Sequence, residues 1–172
     1  ENNLQDKFEY LNKKAGEIAV NAKKKYPHVY IAGGLPPQHL TYEADERNEI
    51  EIIENFSNQA KLLNPYVDFF YFDVWSSIKE VKCGIEAIKQ FGKPYLIGIH
   101  ISEGVKLPSG ENISKLRNLI NDKTLGVILA CVSPENFEKN LTELKSLNIP
   151  FGFKLNGFVT TKIKNGYTSV FL

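Results

Sequence analysis

Methionine is missing from the 172 residues, tryptophan occurs once and cysteine only twice. Without an initiator, and with Glu1 already inside a helical pattern, the sequence is expected to be cut from something longer. Cys83 and Cys131 are too few and too far apart for the disulfide framework of a small secreted domain. Long hydrophobic runs are lacking too. The longest largely apolar stretches, 67–72 and 126–132, fall far below the roughly 20 residues that span a bilayer, and no leader opens the chain. Nor is there an excess of either charge: 21 basic and 20 acidic side chains leave a net +1, spread along the whole length. That balance excludes a basic footprint for nucleic acid or an anionic membrane surface. A cytoplasmic protein is expected, with neither nucleic acid nor membrane as partner.

What is present is a regular alternation. A composition of 42% hydrophobic and 24% charged residues suits one domain, 1–172, with its own core. Leu4, Phe8, Leu11, Ala15, Ile18 and Ala22 recur at steps of four and three and predict a helix. His28 to Ala32 is a short strand-like run, and Gly33-Gly34-Leu35-Pro36-Pro37 is a rigid loop closing it. Asp45 is the expected N-cap of a second helix, with Ile50, Ile53, Phe56, Ala60 and Leu63 as its apolar face. A strand over Val67 to Asp73 leads to Ser77 and Glu80, spaced as a capping box, and to a third helix burying Ile78, Val81, Ile85 and Ile88.

The pattern then repeats. Tyr95 to Ile101 is a strand, Ser102 to Gly110 a polar loop, and Ile113, Leu116 and Ile120 the face of a short helix. Leu125 to Cys131 is a buried strand, and Ser133-Pro134 caps a helix with proline at its first position and Phe137, Leu141, Leu144 and Leu147 on its face. Ile149 to Leu155 is the last strand, and after Asn156 the periodicity fades.

Apolar strands alternating with amphipathic helices require a parallel sheet covered by helices. A doubly wound sheet often carries a glycine-rich phosphate loop, and neither GxGxxG nor GxxxxGK[ST] occurs. A barrel instead places its reactive side chains just after several strands, at one rim. Gly33, Gly34, Asp73, His100, Cys131 and Asn156 all fall there. A whole barrel takes about 250 residues, so the expectation is an incomplete (β/α)8 TIM barrel of about five units. Such an open piece would expose two unpaired strand edges, which makes self-association into oligomers possible.

Read together, the strand ends carry a resemblance. Ile31-Ala32-Gly33-Gly34-Leu35-Pro36-Pro37, with Tyr42 and Asp45 beyond, is similar to an Ala-Gly-Ser-Leu/Ile-x-Pro strand and loop followed by tyrosine and aspartate. Asp68 to Asp73 with Ser77 to Glu80, Leu96 to Ser102 with Ser109-Gly110-Glu111, Gly126 to Cys131, and Phe153 to Gly157 follow in matching order. They resemble strands 3 to 7 of the homocysteine S-methyltransferase family, zinc-dependent barrels that methylate homocysteine to methionine. The resemblance implies two small-molecule substrates, homocysteine and a sulfonium or betaine-type methyl donor, and zinc as cofactor. Zinc would strip the proton from a thiol whose free pKa of about 8.5 leaves it mostly protonated at neutral pH.

Family members hold zinc with one cysteine after the sixth strand and an adjacent pair after the eighth. Cys131 matches the first, and the pair is not in this sequence, so the segment alone is expected to be inactive. Asp73 stands where the family has a glutamate that helps hold the amino acid. Gly33, Gly34 and Asn156 would line the same substrate rim. Val74 replaces a threonine and Ala130 an asparagine, departures that motivate a second possibility, a non-catalytic relative that binds a small amino acid or serves as an interaction module. A third, an unrelated phosphate-binding barrel, has only Asn156-Gly157 in its favour.

Each residue also has a plainer reading. Cys131 suits a small buried strand end, Asp73 and Asn156 suit turn capping, and the glycines suit a tight loop. His100 reads either as a base or as a hydrogen-bonded strand-end histidine. Trp75 reads either as a stacking surface for a cationic donor or as packing. Cys83 lies off its helix's apolar face and is incidental. Lys23 to Lys25, Lys162 and Lys164 read as solvated surface.

Overall fold

The computed structural model describes residues 4–156, 158–160 and 170–171. Gly157, Lys162 and Lys164 lie outside them. Five strands, β1 (Ala32–Leu35), β2 (Phe69–Trp75), β3 (Tyr95–Ile99), β4 (Thr124–Val132) and β5 (Phe151–Leu155), form one parallel sheet in the order β1-β2-β3-β4-β5. Each strand lies beside its successor, so the sheet grows in one direction with no reversal of strand order, as in a barrel and unlike a doubly wound sheet. Helices α1 (Phe8–Lys23), α2 (Glu49–Leu63), α3 (Ile78–Ile88) and α4 (Pro134–Ser146) accompany it. Between β3 and β4 the helix is reduced to a 3-10 segment, Ile113–Asn118, which buries Ile113 and Leu116. A separate antiparallel pair joins β6 (Phe158–Thr160) to β7 (Val170–Phe171). No helix among the described residues is long and apolar enough to cross a membrane.

Several boundaries differ from the sequence expectation, each for a local reason. The first strand is Ala32–Leu35, not His28 to Ala32, because its residues pair with β2 in the register Ala32↔Phe69 to Leu35↔Phe72. Gly33 and Gly34 are thus strand residues, and the prolines at 36 and 37 end the pairing. The cap of α2 is Asn48, whose Oδ1 accepts from Glu51 N–H at 2.9 Å. Asp45 is drawn off by Arg47, which donates to it from its backbone and its guanidinium. Ile50 faces solvent and Ile52 takes its place in the core. Cys83 is fully buried, because α3 lies in a wider apolar trough than its stripe alone suggests. On α1 the apolar stripe is largely exposed, with only Gly16 buried, against Tyr66.

Other expectations match. Ser77 caps α3 with Oγ accepting from Glu80 N–H at 3.1 Å and donating to Glu80 Oε2 at 2.7 Å. Ser133 caps α4 ahead of Pro134.

The core between sheet and helices centres on Trp75. Its ring stacks on Phe72 at 4.1 Å and on Phe56 of α2 at 4.5 Å, and its Nε1–H donates to the Leu35 carbonyl at 2.8 Å. A Cβ at Gly84 of α3 would collide with the far edge of the indole. One side chain therefore ties β1, β2, α2 and α3 together, and the glycine is what lets α3 approach. Gly84→Ala should lower stability by about 1–2 kcal/mol, overpacking outweighing the gain in helix propensity. Gly152→Ala, where a Cβ would meet nothing within 4 Å, should leave the urea midpoint nearly unchanged.

Candidate functional site

The carboxyl ends of β2 and β4 are irregular in the same way. Register shifts lie between Phe72 and Trp75 and between Ala130 and Val132, and the residues inside them, Val74 and Cys131, have φ of 66° and 57°. Left-handed backbone in a β-branched residue such as Val74 is strained by about 1–3 kcal/mol. Cys131 is held in that conformation from both sides. The Ala130 carbonyl before it accepts from His100 Nδ1 at 3.0 Å, and its own carbonyl accepts from Asn156 Nδ2 at 2.8 Å.

A carbonyl can only accept, so His100 carries its proton on Nδ1, and Nε2 accepts from the Ser102 hydroxyl at 2.9 Å. Tyr42, itself at φ 71°, places its ring 4.4 Å from the imidazole. Burial holds the His100 pKa down to about 4, with the Ala130 hydrogen bond opposing it. His100 is therefore a neutral strand-end histidine that braces Cys131.

A second cluster lies on the concave face. Tyr71 and Asp73 alternate with the core residues Phe70 and Phe72, so they point away from the helices. From β5, Lys154 reaches over to Asp73 and forms an ion pair with its Oδ1, its Nζ lying 5.8 Å from the Tyr71 ring centroid. Two intervening strands separate β2 from β5, so such a bridge requires a strongly curled sheet. Gly98 of β3 gives the room: a Cβ there would strike the Phe72 carbonyl and the Tyr71 ring. The Tyr71 hydroxyl is pushed above its ordinary pKa, first by burial and then by the nearby Asp73 carboxylate. With side chains 44% and 30% exposed, the Lys154–Asp73 pair contributes at most about 1 kcal/mol. It is open to exchange with a ligand.

Of the residues singled out from sequence, Asp73, Cys131, Asn156 and His100 thus gather at the ends of β2 to β5. Gly34 pairs with Tyr71, and a Cβ there would meet nothing within 4 Å, so it leaves open space beside that ring. Gly33 lies on the other face, where a Cβ would press on Val67 and Phe70. Trp75 is core packing. Sequence reasoning passed over Lys154 and Tyr71. The one available signal was a lysine in an otherwise apolar strand, two residues before Asn156 and so on the same face.

The loops after β1 and β3 also form an open cleft of about 610 Å³ lined by Tyr42, Glu43, Glu46, Ser102, Glu103 and Lys106 among others. The β3 loop is fixed on both flanks. Glu111 Oε2 accepts from Ile78 N–H, at the positive end of α3, at 3.0 Å. From α4, Asn136 and Asn140 donate to the carbonyls of Ser102 and Gly104, each at 2.9 Å.

Among the described residues, no group of three or more His, Cys, Asp or Glu side chains is placed to hold a metal ion. Cys131 is one thiol, and a zinc site takes four ligands, of which a catalytic site supplies three. The zinc implied by the family resemblance therefore does not fit these residues by themselves.

The architecture is that of a partial TIM-barrel-like domain with polar residues gathered at the carboxyl ends of its strands. The chain belongs to the homocysteine S-methyltransferase family, whose model matches residues 1–169. It is similar in fold to the homocysteine methyltransferase MmuM from Escherichia coli, with TM-score 0.69 to the apo form and 0.74 to the metallated form, each at 17% identity. Those alignments cover 86% of this chain and 60% and 58% of the solved chains, so it spans under two thirds of their length. No curated protein matches the sequence.

Two outcomes follow from the buried groups. His100 stays neutral in the fold down to about pH 4 but takes a proton near pH 6.5 when unfolded. The unfolded state therefore binds more protons in that window, and stability falls as pH drops through it, by up to about 3 kcal/mol at pH 4. His100→Gln should flatten the urea midpoint between pH 6.5 and 4.5 relative to wild type. In thiol labelling, Cys131, which is partly exposed, should react in the native protein. Cys83, buried and with its pKa pushed up to about 11, should react only on unfolding, so Cys131→Ser should abolish labelling of the folded protein.

Proposed function

We propose that the intact protein is a methyltransferase that moves a methyl group from a sulfonium or betaine-type donor to the sulfur of homocysteine, giving methionine. The observation that carries the reading is the gathering of a carboxylate, a thiol and an amide, Asp73, Cys131 and Asn156, at one rim of a chain belonging to this family. In the reaction a bond forms between the homocysteine sulfur and the methyl carbon. The bond from that carbon to the donor's positive sulfur or nitrogen breaks, and the thiol proton leaves to solvent. The donor departs as a neutral thioether or tertiary amine, and in-line positioning supplies much of the rate. Asp73 holds the ammonium group of the amino acid, while Gly34 and Asn156 line its site; Gly33, on the core face of β1, takes no part.

Cys131 is assigned as one ligand of a zinc ion whose other thiolates come from outside the described residues. Residues 1–172 on their own are then inactive. A cytoplasmic location accords with two cysteines that are free thiols. The engagement of Asp73 by Lys154 favours a second reading, a relative that binds an amino acid without turning it over.

The test uses the full-length protein with homocysteine and, in turn, a sulfonium donor and glycine betaine, following methionine by mass spectrometry and zinc by atomic absorption. Methionine formation with one donor and about one zinc per chain, both lost in Cys131→Ser, are expected. Homocysteine binding without methionine from either donor would establish the second reading instead.

A further inference from the structure

The reaction as written gives Lys154 no part, yet its position is costly to explain as surface. The strand around it reads Phe151, Gly152, Phe153 and Leu155, and its ammonium crosses the concave face to Asp73, 81 positions away in sequence. Tyr71 flanks the same pair, two residues before Asp73 on the same face of β2, with its ring centroid 5.8 Å from the Lys154 Nζ. Both charged partners keep access to solvent.

A ligand that brings only a cation to Asp73 displaces the lysine and leaves it without a counter-ion. A ligand that carries an ammonium and a carboxylate on one carbon does not: its ammonium takes Asp73, its carboxylate takes Lys154, and one ion pair becomes two. We infer that Lys154 is the carboxylate-recognising half of an α-amino-acid site whose ammonium-recognising half is Asp73, and that the pair selects amino acids against the corresponding amines. This rests on the proposed function in naming which residue receives the carboxylate of its acceptor.

The experiment is calorimetric titration of the full-length protein with L-homocysteine and with 3-aminopropane-1-thiol, the same molecule without its carboxylate. Wild type should bind the amino acid at least about tenfold more tightly, since a charge-assisted hydrogen bond is worth about that factor or more. Lys154→Gln should weaken homocysteine about 10- to 100-fold while the amine binds as well as before or better, and Lys154→Arg should keep the wild-type ratio. A general structural role would move both ligands together, so equal loss for both, or an unchanged ratio in Lys154→Gln, overturns the assignment. If Lys154→Gln does not fold, the wild-type ratio and its retention in Lys154→Arg decide the matter, and a wild type that does not distinguish the ligands overturns it. Methyl transfer with an unchanged ratio would remove Lys154 and leave the reaction. A collapsed ratio without methyl transfer would remove the reaction and leave Lys154.

Discussion

The placement of Trp75 is the constraint on which the other features depend. Its indole fills the space between sheet and helices where β1, β2, α2 and α3 meet, and its N–H ties down the end of β1 through the Leu35 carbonyl. To put that ring on the helix side directly after Phe72 and Asp73, the strand must break its alternation. The break falls at Val74, in a left-handed conformation that this side chain disfavours. The bulge leaves Asp73 on the concave face at the rim, so packing on one side of the sheet sets the electrostatics of the other. The carbonyl of Trp75 then accepts from His100 N–H at 2.8 Å, which passes the same registration to β3 and, through the imidazole, to the turn at Cys131.

Much of this was legible in the order of residues. Continuous apolar runs alternating with period-3.6 stripes give five strand and helix units in sequence, because a parallel sheet covered by helices imposes both. Capping at Ser77 and Ser133 is local chemistry and reads directly. The errors arise where a second partner, near or distant, overrides the plainest local signal. Two glycines followed by two prolines look like a loop, but a parallel neighbour makes Gly33 and Gly34 a strand. Asp45 has the chemistry of a cap, but Arg47 claims it. Ile50 fits the helical stripe, but the trough lies along Ile52.

The candidate site was legible to a similar degree and failed for the same reason. Asp73, Cys131 and Asn156 could be named because they stand at strand ends, and strand ends define the rim of a barrel. What joins them could not. Lys154 meets Asp73 only because the sheet curls, and the curl depends in part on the absence of a side chain at Gly98. His100 could be recognised as a hydrogen-bonded histidine, but its partner, the backbone carbonyl of Ala130, carries no signature of its own. Side chains that act on backbone leave little trace in the identity of what they act on.

The loop after β3 has a mechanical consequence. Where the other crossovers carry a full helix, the one from β3 to β4 has only the 3-10 segment at Ile113–Asn118, so that sector of the wall lacks the element that would resist shear. The loop supplies a strut in its place, pinned at one end by Glu111 to the first turn of α3 and at the other by Asn136 and Asn140 to the flank of α4. The loop thus joins the first turn of α3 to the first turns of α4, just beyond Cys131, by a route that does not pass through the sheet.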